Sequence, residues 1–275
     1  MPELPEVETV ARGVDKRVRG DRIQEVWLGS HREPFKTPQS KMAKGLEGRT
    51  ILAVHRIGKH IVCELGQGKK PAAQWIVHLG MTGRLLVTTP DGPVAPHTHA
   101  RLTLKSGREL RFVDPRRFGR LELRDIASAF AAPFTAPGAE PLTIPQSDFD
   151  ALFRNRRLAI KAALLNQSLL SGVGNIYADE GLFRAGIRPR RIAGRLKKDE
   201  LSRLRTALQQ VLLEAIRSGG SSVSDYVDAD GVRGFFQLEH RVYQRTGEPC
   251  LVCGTPIRRI VIAGRSTHFC PRCQH

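Results

Sequence analysis

No run of apolar residues in this chain approaches the ~20 residues that a bilayer-spanning helix needs, which excludes a helical membrane anchor. The opening Met-Pro-Glu-Leu-Pro-Glu has neither the basic region nor the apolar stretch of a secretory signal, so a cytosolic protein is expected. No internal repeat is present. Cysteine is scarce and unevenly placed: four of the five lie in the last 26 residues as two Cys-x-x-Cys pairs, a pattern that in a reducing compartment argues for metal rather than disulfides. Acidic residues are also in deficit, 27 against 44 Lys and Arg, leaving a formal net charge of +17. Such a field draws polyanions, nucleic acid first among them, although a generically basic protein with solvated charges would share it. With 275 residues and 40% hydrophobic content, the chain can bury a real core in one large or two medium domains.

Val7, Val10, Val14 and Val18 recur at helical spacing after Pro5, and Glu3, Glu6 and Glu8 crowd the start of that helix, where the dipole favours anions. The period then changes. Short alternating stretches at Ile23–Leu28, Ile51–Arg56, His60–Leu65, Trp75–Leu79, Arg84–Thr88, Ala100–Leu104, Leu110–Val113 and Leu121–Leu123 predict a β-sandwich or barrel. Ala131 to Pro145, rich in Ala, Pro and Gly, reads as a linker. Helical spacing returns at Ile160–Leu170, at Ile176–Ala185, and from Leu201 to Ile216; from Arg241 onward small strands surround cysteine turns. Domain boundaries follow at 1–131, a linker at 132–147, 148–240 and 241–275. Cys63, alone in an apolar stretch, reads as buried and inert.

Cys250, Cys253, Cys270 and Cys273 enclose residues 254–269, a gap that one β-hairpin fills. Four thiolates suit tetrahedral Zn2+ and leave no open position, so a single structural zinc is expected, with His268 a surface residue beside it. Gly172-Val173-Gly174-Asn175 separates two helices. A glycine pair by itself fits a plain connection; beside Arg154, Arg156, Arg157 and Lys161 and the net charge, it predicts contact with a DNA backbone. Asn175 can either cap the second helix or donate to a phosphate.

Once Met1 is removed, Pro2 presents a secondary amine whose pKa, near ~8, leaves far more free base than a lysine at ~10.4. Attack of such an amine on a sugar C1′ gives an iminium ion directly, with Glu3 adjacent for acid–base work. Spacing alone equally fits acids that merely start a helix. The balance changes with Pro2-Glu3-Leu4-Pro5-Glu6-Val7-Glu8-Thr9, Gly58-Lys59, His78-Leu79-Gly80-Met81-Thr82-Gly83, Asp114-Pro115-Arg116-Arg117-Phe118-Gly119, Gly172–Glu180 and the cysteine tail, all in order. From Pro2 to the last cysteine pair the chain resembles the formamidopyrimidine-DNA glycosylase family, bacterial bifunctional enzymes that remove 8-oxoguanine and ring-opened purines.

The resemblance implies an α+β protein: an N-terminal two-layer β-sandwich flanked by helices, a helix–two-turn–helix module and a zinc-ribbon hairpin. It further implies a monomer acting on damaged double-stranded DNA in the bacterial cytoplasm. By the same resemblance Pro2 is the Schiff-base nucleophile, Glu3 the proton donor, and Glu6 the supporting carboxylate. Lys59 and Arg265 contact phosphates and assist β- and δ-elimination. Met81, Arg116 and Phe118 fill the void left by the flipped nucleotide. His78, His97, Arg156, Asn175 and Tyr243 contact DNA, and Ser221 to Phe236 resembles a loop that closes over the flipped base. Two other readings are weighed against this one. A non-catalytic zinc-ribbon nucleic-acid-binding protein leaves the Pro-Glu terminus, Lys59 and Arg265 unexplained. Endonuclease VIII, a pyrimidine-type relative, typically has Gly where this chain has Leu4, and generally lacks the full void-filling trio.

Overall fold

The computed structural model describes residues 1–126, 132–222 and 226–275. They form two compact units, Met1–Thr135 with Gly219–Gly234, and Ala136–Ser218 with Phe235–His275.

The first unit holds α1 (Leu4–Val18), β1 (Ile23–Leu28), α2 (Gln39–Leu46), β2 (Thr50–Ile57), β3 (His60–Gln67), β4 (Lys70–His78), β5 (Arg84–Thr88), β6 (Thr98–Leu104), β7 (Glu109–Val113) and β8 (Arg120–Asp125). All eight alternating stretches are strands. They make two antiparallel sheets of order β2-β3-β4-β8 and β1-β6-β7-β5. Cys63, Trp75 and Val77 of the first sheet and Leu102, Leu110 and Phe112 of the second share one buried core with Val7, Val10, Val14 and Val18 of α1. The 3.6-residue spacing of those valines thus points one helix face at the sheets, and the period of two points alternate strand residues inward. Cys63 is buried, and desolvation pushes its thiol up to about 12, which leaves it inert. Helix α2 has no counterpart in the sequence reading; it buries only Met42 and Leu46, too short a pattern to register a period.

The second unit holds α3 (Gln146–Phe153), α4 (Ile160–Leu165), α5 (Asn175–Ala185), α6 (Lys198–Arg217) and the hairpin β9 (Arg258–Ile262) and β10 (Arg265–Phe269). Helix α4 stops five residues before the expected Leu170, because Asn166 turns to an extended conformation and its side chain accepts a bond from Ser168 N at 3.0 Å. The stretch read as a linker is bonded down at its later half: Ala139 N donates to Leu169 O (3.0 Å) and Ser171 N to Ala139 O (2.9 Å). Ala131, where that stretch begins, lies outside the described residues. The segment Gly219–Gly234, placed by sequence in the helical module, packs with the first unit; its residues 223–225 are outside the described residues.

Candidate functional site

Strand register gathers six of the singled-out residues at one end of the sandwich. Ile57 pairs with His60 across the Gly58-Lys59 turn, His60 pairs with His78, and His78 pairs with Arg120. Lys59, His78 and the chain just before Arg120, which carries Phe118, are therefore neighbours on one sheet edge. The connections from β4 to β5 and from β7 to β8 leave at this same end, carrying Met81 and Arg116-Arg117-Phe118. His97 enters the second sheet there, one residue before the Thr98–Val113 pair.

Two turns are locked together by Asp114, which is fully buried. Its carboxylate accepts the Thr82 hydroxyl (2.6 Å) and the Gly119 N–H (2.7 Å). Gly80, at φ 63°, lies so close that a Cβ there would stand 2.5 Å from the backbone of Phe118 and Gly119. The turns must pack backbone to backbone, and they thrust Met81 (40% exposed) and Phe118 (49% exposed) into solvent while Arg116 lies 4.7 Å over the Phe118 ring. Large apolar side chains held out by buried hydrogen bonds are not core residues. In the sequence a carboxylate followed by Pro-Arg-Arg is legible as a turn, not as a buried tie. Arg111 is likewise invisible to local pattern. Its buried guanidinium pairs with Glu109 and donates to Thr89, Pro90, Gly92 and Pro93 carbonyls, pinning the loop that leads to His97, itself at φ 63°.

Helix α1 brings the amino terminus to the same end. Glu8 accepts from Arg56 Nε (2.8 Å), and Arg56 donates to Gly58 O (3.1 Å), tying the first turns of α1 to the Lys59 turn. Pro2, Glu3 and Glu6 are buried at the helix start. The Glu6 carboxylate accepts the Glu3 N–H (2.8 Å) on one oxygen and the Ser221 N–H (2.8 Å) on the other. The Tyr226 hydroxyl donates to Glu6 O at 3.3 Å. Gly220, at φ 82°, permits this closeness; a Cβ would sit 3.1 Å from the Glu6 side chain. The segment expected to close over a flipped base is thus anchored to α1 through Glu6.

Cationic side chains surround His78. Burial, then the charges of His60, Lys59, Arg120 and Lys36, pushes the His78 imidazolium down to about 4. The ring is neutral at pH 7, and the Gly80 N–H donates to its Nδ1 (3.1 Å), which leaves the proton on Nε2 as an available donor.

In the second unit Gly174, not Asn175, is the N-cap of α5. Asn175 Nδ2 donates to Ser266 O (2.9 Å), so it neither caps nor stands wholly free for phosphate. Lys161 departs from the sequence expectation. Rather than joining Arg154, Arg156 and Arg157 on the surface, its ammonium is fully buried, 2.6 Å from Asp179 and 2.8 Å from Ser266 O. His268 departs as well: it is buried, its N–H 2.8 Å from the same Asp179 carboxylate, because that carboxylate needs partners inside the unit. Glu180 accepts the Val242 and Tyr243 N–H groups, both at 2.9 Å, with burial pushing its carboxyl up against those bonds. Together Lys161, Asp179 and Glu180 hold β10 and the Tyr243 loop on the helices. Arg265 is exposed beside the tight Ala263-Gly264 turn, both residues at positive φ, and Arg156 is exposed between α3 and α4.

All four cysteine Sγ atoms lie within 4.8 Å of one another, with Cys250–Cys273 at 3.9 Å and Cys253–Cys270 at 3.5 Å. Zn–S bonds of about 2.3 Å in a tetrahedron require edges of about 3.8 Å. The set fits one structural zinc ion, and its hydrophobic surround of Phe183, Val242 and Ile257 is small enough to need it.

Family models match along the chain: the formamidopyrimidine-DNA glycosylase N-terminal domain over residues 1–121, the H2TH domain of the same enzymes over 137–227, and the zinc finger found in FPG and IleRS over 247–275. Proteins named formamidopyrimidine-DNA glycosylase from Solibacter usitatus and Thioalkalivibrio sulfidiphilus are 48% and 47% identical, covering 100% of this chain and 99% and 100% of their own lengths. The solved complex between Lactococcus lactis Fpg and an abasic-site-containing DNA is similar with a TM-score of 0.88 at 35% identity, over 99% of both chains. The complex of a Lactococcus lactis FPG mutant with Fapy-dG-containing DNA matches equally, over 100% of both.

Proposed function

The chain belongs to the formamidopyrimidine-DNA glycosylase family of DNA-repair enzymes, and we propose that it excises 8-oxoguanine and formamidopyrimidines from duplex DNA and then cleaves the abasic strand. Pro2, freed by removal of Met1, attacks C1′ as the damaged base leaves with its bonding electrons. Opening of the sugar C1′–O4′ bond gives an iminium on the proline nitrogen, and Glu3 delivers the proton that the departing or opening oxygen and nitrogen require. Loss of a C2′ proton sends its bonding electrons into the iminium, and the resulting enamine expels the 3′-phosphate (β-elimination); loss of a C4′ proton then expels the 5′-phosphate (δ-elimination), with Lys59 and Arg265 on the phosphates. Glu6 orients Glu3 through its backbone.

Met81, Arg116 and Phe118 occupy the gap left by the flipped nucleotide, recovering part of an unstacking cost of a few kcal/mol. His78, through Nε2–H, and His97, Arg156, Asn175 and Tyr243 hold the DNA backbone. The zinc ion is structural and shapes the hairpin that presents Arg265. The protein acts as a monomer in the bacterial cytoplasm. The observation that carries this reading is the meeting of the Pro2-Glu3 terminus with the Lys59 turn and the exposed Met81 and Phe118 wedges at one end of a single unit.

Borohydride reduction during turnover of an 8-oxoguanine duplex tests it. A covalent protein–DNA adduct should form, and the crosslinked peptide should begin at residue 2. An adduct mapping to Lys59 would overturn the role of Pro2. Faster excision of thymine glycol than of 8-oxoguanine would instead favour a pyrimidine-type enzyme.

A further inference from the structure

A cavity of about 280 Å3 lies in the second unit, lined by none of the residues placed on DNA. Helix α5 and strand β10 run side by side in the same direction, since Asn175 meets Ser266 and Asp179 meets His268. Asn175 and Arg265 mark one end of this pair. The cavity starts at the other and reaches the middle: Arg258 pairs with Phe269 at the open end of the hairpin, four rungs or about 13 Å from the Ile262–Arg265 pair, while Ile260 pairs with Thr267, two rungs or about 7 Å from it. Along α5 the two ends are ten rises or about 15 Å apart, and beyond Ala185 the chain turns back, Pro189 O accepting the Lys161 N–H at 3.3 Å.

The walls are Pro189, Ile260 and Phe269, and the rim carries Arg188, Arg190 and Arg258, all exposed; no carboxylate side chain lines it. Arg188 is braced by donating to Pro271 O at 3.0 Å. Three guanidiniums around an apolar hollow ask for a ligand with several anionic groups and one apolar projection. The volume falls at the foot of the ~300–1,000 Å3 range of small-molecule pockets, room for one anchoring side chain. Duplex DNA supplies phosphates to such a rim, but its stacked bases leave nothing apolar to enter the hollow. We propose that this cavity docks an acidic segment of another protein, anchored by one aromatic or branched apolar side chain, while DNA occupies the opposite end.

Fluorescence anisotropy of the full zinc-loaded chain with a labelled Glu-Asp-Glu-Asp-Leu-Phe peptide tests this. Binding should saturate, weaken at least about tenfold with Arg190→Glu or Arg258→Glu, and weaken likewise when the peptide's Phe becomes Ser. It should persist with saturating abasic-analogue duplex, and both variants should nick abasic DNA as the unaltered chain does, since neither residue touches the site. Three results would overturn it: no saturable binding at millimolar peptide; equal binding of the Ser peptide, which means only attraction to a basic chain; or displacement by duplex together with lost DNA affinity in the variants, which means the cavity belongs to the DNA surface.

Discussion

Replacing Glu6 removes the acceptor for two buried backbone donors at once. The Glu3 and Ser221 N–H groups each stand 2.8 Å from one of its oxygens, and Glu6 is 2% exposed, so water cannot substitute. A hydrogen bond to a charged group contributes about 1.5–3 kcal/mol, and an orphaned buried N–H bears its own desolvation cost. Glu6→Ala should therefore lower stability by about 3–6 kcal/mol, a large share of the ~5–15 kcal/mol available to a folded protein. Glu6→Gln is the sharper instrument. One amide oxygen can keep one bond, but the amide NH2 then faces the other backbone N–H, donor against donor, so about half that loss is expected. Trp75, buried in the first sheet, reports urea unfolding of this unit by fluorescence. Single-turnover excision of 8-oxoguanine should fall in the Gln variant while affinity for undamaged duplex holds, because Glu3 loses its fixed orientation and the DNA contacts lie elsewhere. If both variants unfold within ~0.5 kcal/mol of the unaltered chain, the carboxylate is not the tie that its geometry implies.

Burial keeps the His78 and His240 rings neutral down to about pH 4, against about 6.5 for an exposed histidine. The unfolded chain then binds more protons between those values, so stability should fall as pH drops from about 6.5 to about 4, by about 3 kcal/mol per ring, and this histidine contribution should level off below; urea midpoints should trace it and His240→Gln should remove about half of it. One zinc ion per chain should be found by metal analysis of active, reduced protein, and Cys273→Ser should cost DNA binding; active protein free of zinc would refute the site. Met81→Ala or Phe118→Ala should slow excision of a stacked base more than cleavage at an abasic site, and equal losses in paired single-turnover assays would make these residues packing rather than wedges.

The alternating stretches and the valine spacing of α1 were legible because period is a local property, and the eight strands begin and end within a few residues of where the pattern does. The cysteine knuckles were legible for a similar reason, since two short turns carry four ligands. Lys161 and His268 were not. In the chain one follows a run of arginines and the other sits in a charged tail; only the Asp179 carboxylate, 89 residues from His268, takes both out of solvent. A buried charge is tolerable only with its partner in place, and partnership across the chain has no period to read. The same holds for Asp114, which looks like a turn residue until Thr82 arrives from another loop, and for Gly219–Gly234, which follows a helix of the second unit in sequence yet packs with the first. That segment goes where Glu6 has an oxygen to offer its backbone. Pattern and ligand count determined the elements and the metal; which buried donor meets which acceptor was decided only by the folded chain, because satisfying a hydrogen bond depends on distance in space and not along the sequence.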